Sequence, residues 1–309
     1  LKKTFYSNGK LLLTAEYLVL DGAEALAVPS VYGQYLEVEE IPGNLLVWKS
    51  LDENGNIWFE NSLKIREENL PVASEKDTIS ETLLAILRQA KISNPLFLSE
   101  NKGFQVTTRL NFNRSWGLGT SSTLIANIAK WAEIDAYTLL HKSFGGSGYD
   151  IACALHNKPI IYSNKTFPPK VKEVSLDWNF KDELFFVYLN RKQDSKEAIA
   201  NYRQYSNLDG RLAGKKEIAI QEINALTNAI LKSSSLSEFE NLLEDHEELL
   251  SDILGQSKIK ELYFSDYSGK IKSLGGWGGD FILATRRDAL DYFRLKGLEI
   301  IIPFSAMLK

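Results

Sequence analysis

Three features of the sequence predict an α+β fold in two lobes. Its 309 residues exceed a typical single domain and can bury large cores, as two fused lobes, the preferred reading, or as one large α/β unit. The first part reads as strands, a helical stretch follows, and the tail returns to mixed strand and helix. With no internal repeat and no long linker, a boundary near residue 165 divides the chain into residues 1–165 and 166–309.

The segments Thr4–Gly9, Lys10–Thr14, Ala25–Ser30 and Tyr32–Ile41 carry β-branched, aromatic and leucine residues between glycine or proline punctuation, the pattern of four short strands. Leu45–Leu51 and Asn56–Leu63 predict a hairpin around Asn54-Gly55, residue types that tolerate positive φ. From Ser80 to Lys91, Leu83, Leu84, Ile86 and Leu87 recur at helical spacing, and the strand Phe104–Phe112 follows. Helices are expected over Thr123–Glu133, Ala136–Ser143 and Asp150–His156, then strands over Pro159–Asn164, Lys170–Leu176 and Glu183–Asn190. Two long helical patterns run over Lys215–Lys232 and Leu236–Leu254. The tail reads as a glycine loop at 275–279, a strand Asp280–Thr285, a helix Asp288–Lys296 and a strand Glu299–Phe304.

Composition narrows the function. A net charge of −4 with no dominant basic stripe argues against a nucleic-acid partner. No apolar run approaches the roughly 20 residues that cross a bilayer, and Leu1–Lys10 lacks a signal-peptide core. Cys153 is the single cysteine, which precludes an internal disulfide and fits a reducing cytoplasm. With three histidines, His141, His156 and His246, a hard cation held by oxygen is a better expectation than zinc. No feature sets the oligomeric state.

The candidate chemistry lies in the glycine runs. Gly117–Thr123, GLGTSST, stands between a strand-like and a helix-like segment. There glycines let backbone approach an anion, and first-turn N–H groups point at it with partial positive charge. Thr120, Ser121 and Ser122 add hydroxyls, one of which is a possible Mg²⁺ ligand. In isolation the run reads first as a capped helix after a tight turn. It is not a Walker A loop, and neither Gly210–Lys216 nor Ser268–Lys270 fits that pattern. Asp150, ending GGSGYD, is either a favourable helix-start charge or an acid that orients a substrate hydroxyl. Tyr149 stands where a nucleophile elbow around Ser147 would need glycine. Lys10 is either a surface charge at a strand start or a fixed cation beside a transferring phosphoryl group. Arg191, Lys192 and Lys196 form a charge run that is solvated or meets an anionic acceptor.

Three separated segments together resemble the GHMP kinases, the family of galactokinase, homoserine kinase, mevalonate kinase and phosphomevalonate kinase. SNGKLLLTAEYLVLDG is similar to the family's first motif, GLGTSST to its phosphate loop and KSLGGWGGD to its third motif, in the family's order. GSGYDIACALHNKPIIY resembles the aspartate run of phosphomevalonate kinases most closely, with mevalonate kinases next. Lys272, Gly275, Gly278, Gly279 and Asp280 match the third motif's Lys-x-x-Gly-x-x-Gly-Gly-Asp form.

The resemblance implies a lobe like ribosomal protein S5 domain 2 that binds ATP, residues 1–165, and a ferredoxin-like lobe, residues 166–309. It implies ATP-dependent transfer to a small-molecule acceptor, mevalonate or 5-phosphomevalonate. Gly117, Leu118, Gly119, Thr120, Ser121 and Ser122 would hold the ATP phosphates, with Ser121 on Mg²⁺. Asp150 and Lys10 would be catalytic, and Glu16, Ser147, Gly275 and Gly276 would lie on the acceptor side. The sequence departs from the pattern at Ala15, Thr120 and Trp277, and Phe144-Gly145 replaces a lysine expected before GSG. Leu139 and Leu140 stand where mevalonate kinases carry a glutamate. A sugar or other hydroxyl acceptor is the alternative substrate, and a catalytically silent nucleotide-binding protein the alternative of another class.

Overall fold

Strands β1 (Lys2–Leu12) and β2 (Ala25–Ile41) each run unbroken where glycine and proline punctuation predicts two strands apiece. Within β2, a Cβ on Gly33 would lie 2.3 Å from the Ser7 carbonyl oxygen and 2.5 Å from the Tyr6 hydroxyl, so this glycine admits a close neighbour inside the strand.

The computed structural model describes residues 2–65, 72–73, 78–99, 102–191, 199–200, 202–203, 216–277 and 279–309. The chain divides into two compact units that are discontinuous in sequence. One comprises Leu1–Gly9, Tyr32–Arg114 and Leu118–Leu155, the other Lys10–Val31, Ser115–Gly117 and His156–Lys309.

In the first unit β3 (Leu45–Leu51) and β4 (Ile57–Lys64) form the expected antiparallel hairpin. Its turn places positive φ on Gly55, while the amides of Asn54 and Asn56 donate to the Asp52 carboxylate. After β5 (Val72–Ala73) and helix α1 (Thr78–Ser93), strand β6 (Gly103–Leu110) lies parallel to β3 and antiparallel to the second half of β2. Strand order is thus β5-β4-β3-β6-β2, with β1 also paired to β2.

Helices α2 (Thr120–Ala132), α3 (Ala136–Ser143) and α4 (Tyr149–Leu155) complete the unit. Their apolar faces join α1 and the sheet in one core, where Leu36, Trp48 and Val106 meet Leu87, Ile125, Leu139 and Ile151. A fully buried leucine or isoleucine contributes about 1.5–3 kcal/mol relative to exposure, so this core holds the helices on the sheet.

The second unit contains two sheet regions. The first half of β2 pairs with β7 (Ile160–Ser163), and β7 with β8 (Lys170–Glu173), all antiparallel. A separate sheet has the order β10-β11-β9-β12, built from β9 (Leu184–Tyr188), β10 (Ile271–Ser273), β11 (Phe281–Thr285) and β12 (Ile301–Pro303).

Between β9 and β10 run α5 (Lys216–Leu231), α6 (Leu236–Leu254) and α7 (Ile259–Tyr263). Helix α8 (Ala289–Leu295) joins β11 to β12, and α9 (Phe304–Met307) follows. Two interleaved β-α-β units in an antiparallel sheet make this the expected ferredoxin-like arrangement.

Both faces of that sheet are covered. Phe185, Val187 and Ile282 pack with Ile259, Phe264 and Phe293, while Phe186 stacks on Phe304 at 5.4 Å. Strand β10 and helix α7 are additions to the sequence reading. Lys192, Lys196, Lys215 and Gly278 lie outside the described residues. Among the described residues no helix is long and apolar enough to cross a membrane.

Candidate phosphate-binding and catalytic residues

In the first unit, α2 begins at Thr120, three residues earlier than its hydrophobic pattern indicates. Its N-cap is Gly119, at φ 90°, which has no side chain to occupy the orphan amides of the first turn. The first intrahelical bond at this end runs from the Thr123 amide to the Gly119 carbonyl at 3.0 Å. Ser122 donates its hydroxyl to the same carbonyl at 2.8 Å, and Thr123 donates to Gln34 Oε1 at 2.9 Å. Both side chains are buried, whereas Ser121 is exposed and Thr120 partly so. The hydroxyls are therefore sorted: Ser122 and Thr123 brace the turn, and Ser121 faces outward. This is a ready anion site, with the helix dipole's positive end uncapped.

Helix α4 packs on α2 and carries Asp150 in its first turn. Asp150 is partly exposed, and its Oδ1 accepts from the amide of Ile151 at 3.0 Å. The approach to this turn needs glycine, because Gly145, Gly146 and Gly148 all have positive φ, between 78° and 111°. Ser147 within it is buried.

In the second unit, the Lys10 ammonium donates to the Gly117 carbonyl at 2.8 Å, which fixes the first candidate cation on the first glycine of the run. The segment Ser115–Gly117 is itself held there. The Tyr188 hydroxyl donates to the Ser115 carbonyl at 3.1 Å, and Trp116 meets Phe281 edge-on at 5.7 Å. Gly117 is required for packing as well as for φ. A Cβ on it would fall 2.1 Å from an oxygen of Asp280, the last residue of the third motif.

Glu16 is placed differently from the other expected site residues. It is 1% exposed and belongs to a buried ionic cluster in the second unit. Lys272, 0% exposed, donates to Glu16 Oε1 at 2.7 Å, to the Ser273 carbonyl at 2.9 Å and to Glu247 Oε1 at 3.4 Å. His246 Nε2 accepts the amide of Ala15 at 3.0 Å and lies 3.7 Å from Glu16 Oε2, so the neutral ring carries its proton on Nδ1.

One ammonium cannot neutralise two buried carboxylates. Burial, together with Glu16 nearby, pushes Glu247 up to about 7 against the pull of Lys272; burial also raises Glu16. Burial first, and Lys272 second, hold His246 well below the usual histidine range. These contacts pin a strained turn, for Ala15 and Tyr17 both have φ 63°.

His246 and Glu247 entered no sequence-based expectation for the site. Their signal is nonetheless present, since His246 shares the buried α6 stripe of Phe239, Leu243, Leu250 and Ile253.

Gly275 and Gly276 stand in the third loop, where a Cβ at Gly275 would meet open space but φ is 66°. Trp277, at φ 36°, is buried and donates its indole N–H to the Ser257 carbonyl at 3.3 Å.

These residues fit a nucleotide and Mg²⁺. The uncapped α2 terminus suits phosphate, and the outward Ser121 hydroxyl suits a hard cation. Among the described residues no group of three or more His, Cys, Asp or Glu side chains is placed to hold a metal ion.

No protein-family model and no curated protein sequence matches the chain. Solved structures do. The Methanococcus jannaschii mevalonate kinase is similar at TM-score 0.69 and 14% identity, covering 98% of this chain and 97% of that one. A Streptococcus pneumoniae phosphomevalonate kinase in complex with phosphomevalonate and AMPPNP gives TM-score 0.66 at 15% identity, over 97% and 99%. The Lactococcus lactis galactokinase complexed with galactose gives 0.65 at 14%, over 95% and 88%. What the chain shares with them is the α+β fold of the GHMP kinases over nearly its full length.

Proposed function

We propose that the chain is a cytoplasmic ATP-dependent phosphotransferase acting on mevalonate or 5-phosphomevalonate. The observation that carries this reading is the pairing of Lys10 with the Gly117 carbonyl, at the start of a glycine run that opens a helix without a capping side chain. Residues 1–165 serve as the ATP-binding lobe and 166–309 as its partner lobe.

In this reading the amides and outward hydroxyls of Gly117–Ser122 hold the donor phosphates, and Ser121 contributes one ligand to Mg²⁺. When bound, the ion would neutralise negative charge on the phosphates. Asp150 orients the acceptor hydroxyl and takes its proton as that oxygen bonds the γ-phosphorus and the bond to the ADP oxygen breaks. Lys10 offsets negative charge on the transferring group. Ser147, Gly275 and Gly276 shape the acceptor side, and Glu16 acts on it through the turn that it pins.

A sugar kinase is the second reading. It is favoured by the fold likeness to galactokinase and to a D-glycero-D-manno-heptose 1-phosphate kinase from Bacteriodes thetaiotaomicron. ADP release measured with mevalonate, 5-phosphomevalonate, galactose and homoserine separates the two. Turnover with either mevalonate compound is expected. Turnover with galactose alone transfers the assignment to the second reading, and Mg-ATP binding without any turnover leaves a silent nucleotide-binding protein.

A further inference from the structure

Helix α2 is held on two faces by unlike contacts. Ile125, Ile128 and Ala132 join the apolar core. On another face Thr123, Asn127 and Lys130, spaced four and three residues apart, make a polar stripe against β1 and β2. Thr123 and Asn127 are fully buried, as are their strand partners Ser7 and Gln34.

A continuous run of hydrogen bonds satisfies the stripe. Lys130 donates to the Tyr6 carbonyl at 2.6 Å and to the Ser7 hydroxyl at 3.0 Å. Ser7 donates to Asn127 Oδ1 at 2.8 Å, and Asn127 Nδ2 donates to the Gln34 carbonyl at 2.9 Å. Gln34 brings the run to the phosphate loop, since its Oε1 accepts from Thr123. The Thr123 oxygen also lies 3.1 Å from the Gly119 carbonyl and 3.0 Å from that of Thr120, so this anchor sits in the first turn itself. No buried side-chain polar atom along the run lacks a partner.

Folding alone does not call for such a network, because replacing both partners of a buried bond by apolar groups is often nearly neutral. Direction is what it adds. Apolar burial is non-directional, whereas a hydrogen bond weakens steeply outside a narrow range of distance and angle. Bonds from three positions along α2 to two strands therefore set its rotation and its axial register. A phosphate held by first-turn amides depends on that setting, and an offset of about 1 Å can cost on the order of a hundredfold at a positioned centre.

We propose that Gln34 and Asn127 are positioning residues for the donor phosphates: with Ser7 and Lys130 they aim the open first turn of α2. The inference rests on the phosphotransferase reading and adds residues from outside the glycine run to its donor site. None of the four touches the phosphates; they act through Thr123 and the helix.

The test is calorimetric binding of Mg-ATP and of adenosine, which lacks the phosphates, to the full chain at a temperature where circular dichroism shows each variant folded. Thr123→Val removes the hydroxyl at nearly constant volume and Thr123→Ser keeps it; Asn127→Leu and Ser7→Ala break the run away from the loop. Mg-ATP binding is expected to weaken roughly tenfold in Thr123→Val and Asn127→Leu, the scale of one bond to a charged group, less in Ser7→Ala, and to stay near wild type in Thr123→Ser. Adenosine affinity should hold throughout. Three results overturn the proposal: unchanged Mg-ATP affinity in folded Thr123→Val and Asn127→Leu, equal losses for Mg-ATP and adenosine, or Thr123→Ser as weak as Thr123→Val. If Asn127→Leu does not fold, Ser7→Ala decides in its place. Failure of wild type to bind Mg-ATP strikes the phosphotransferase reading, and this inference with it.

Discussion

Lys10 and Lys272 belong to the first and third glycine-rich motifs and to the same structural unit, yet their surroundings are opposite. Lys10 is partly exposed and donates to a backbone carbonyl at the start of the candidate phosphate run. Lys272 is fully buried between Glu16 and Glu247 and holds the turn at Ala15–Tyr17 through them. Desolvation decides the difference. A buried ammonium is committed to its carboxylates, because separating the partners leaves a charge without water or counter-ion. A partly exposed one keeps its charge accessible to a ligand. Motif membership alone does not distinguish a cation that acts on a ligand from one that holds the scaffold.

Lys272→Met should therefore cost the most, about 3–5 kcal/mol of folding stability by urea denaturation, because two buried carboxylates lose their counter-charge. The loss should deepen above about pH 7, where Glu247 ionises. A change under about 1 kcal/mol would mean that the cluster does not carry the turn.

Lys10→Met should show the reverse profile. Turnover is expected to fall by about a hundredfold, in the range of lost charge stabilisation at a reacting centre. Stability should change by no more than about 1.5–3 kcal/mol, the scale of one hydrogen bond made by a charged group, and by less than in Lys272→Met. Equal effects on both would erase the contrast between the two lysines.

The smallest effect is a change in pH slope. Folding raises Glu247 from 4.5 to about 7, so its contribution is present below pH 4.5 and lost as pH rises through 7. His246 is lowered from 6.5, so its contribution is present above 6.5 and lost as pH falls. Between 4.5 and 6.5 the two slopes oppose. Glu247→Gln removes the first, so that, beside the remaining slope of Glu16, which burial also raises, stability should gain up to about 1.4 kcal/mol per pH unit relative to wild type across that interval. Urea midpoints at several pH values check this; a profile like that of wild type would place the proton elsewhere.

The contrast also marks what was legible in the sequence. Periodicity located α1, α3 and α6, because each has one apolar face and buries it. The order of the glycine runs pointed to the fold. The break between Ser30 and Tyr32, after Pro29, misled, since β2 runs through it, and Gly33 inside the strand admits a close neighbour. Within GLGTSST the sequence offered four equivalent hydroxyls. Only the fold shows that both Ser122 and Thr123 turn inward: the Ser122 bond to Gly119 is local, but the Thr123 bond to Gln34 needs strand β2, far away in the chain. The Glu16–Lys272–Glu247–His246 cluster was legible only in part: helical spacing puts His246 on the buried stripe of α6, but its partners come from distant segments, and charged residues on a helix ordinarily face water.

The most direct test follows the γ-phosphoryl label from ATP to acceptor in wild type and in Asp150→Asn, with Mg-ATP affinity measured in parallel. The expected result is label on a mevalonate compound with wild type and at least about a hundredfold less with the variant, at unchanged ATP affinity. Near-normal transfer by Asp150→Asn would contradict the role given to Asp150 and, with it, the assignment of the first turn of α4 to the reaction.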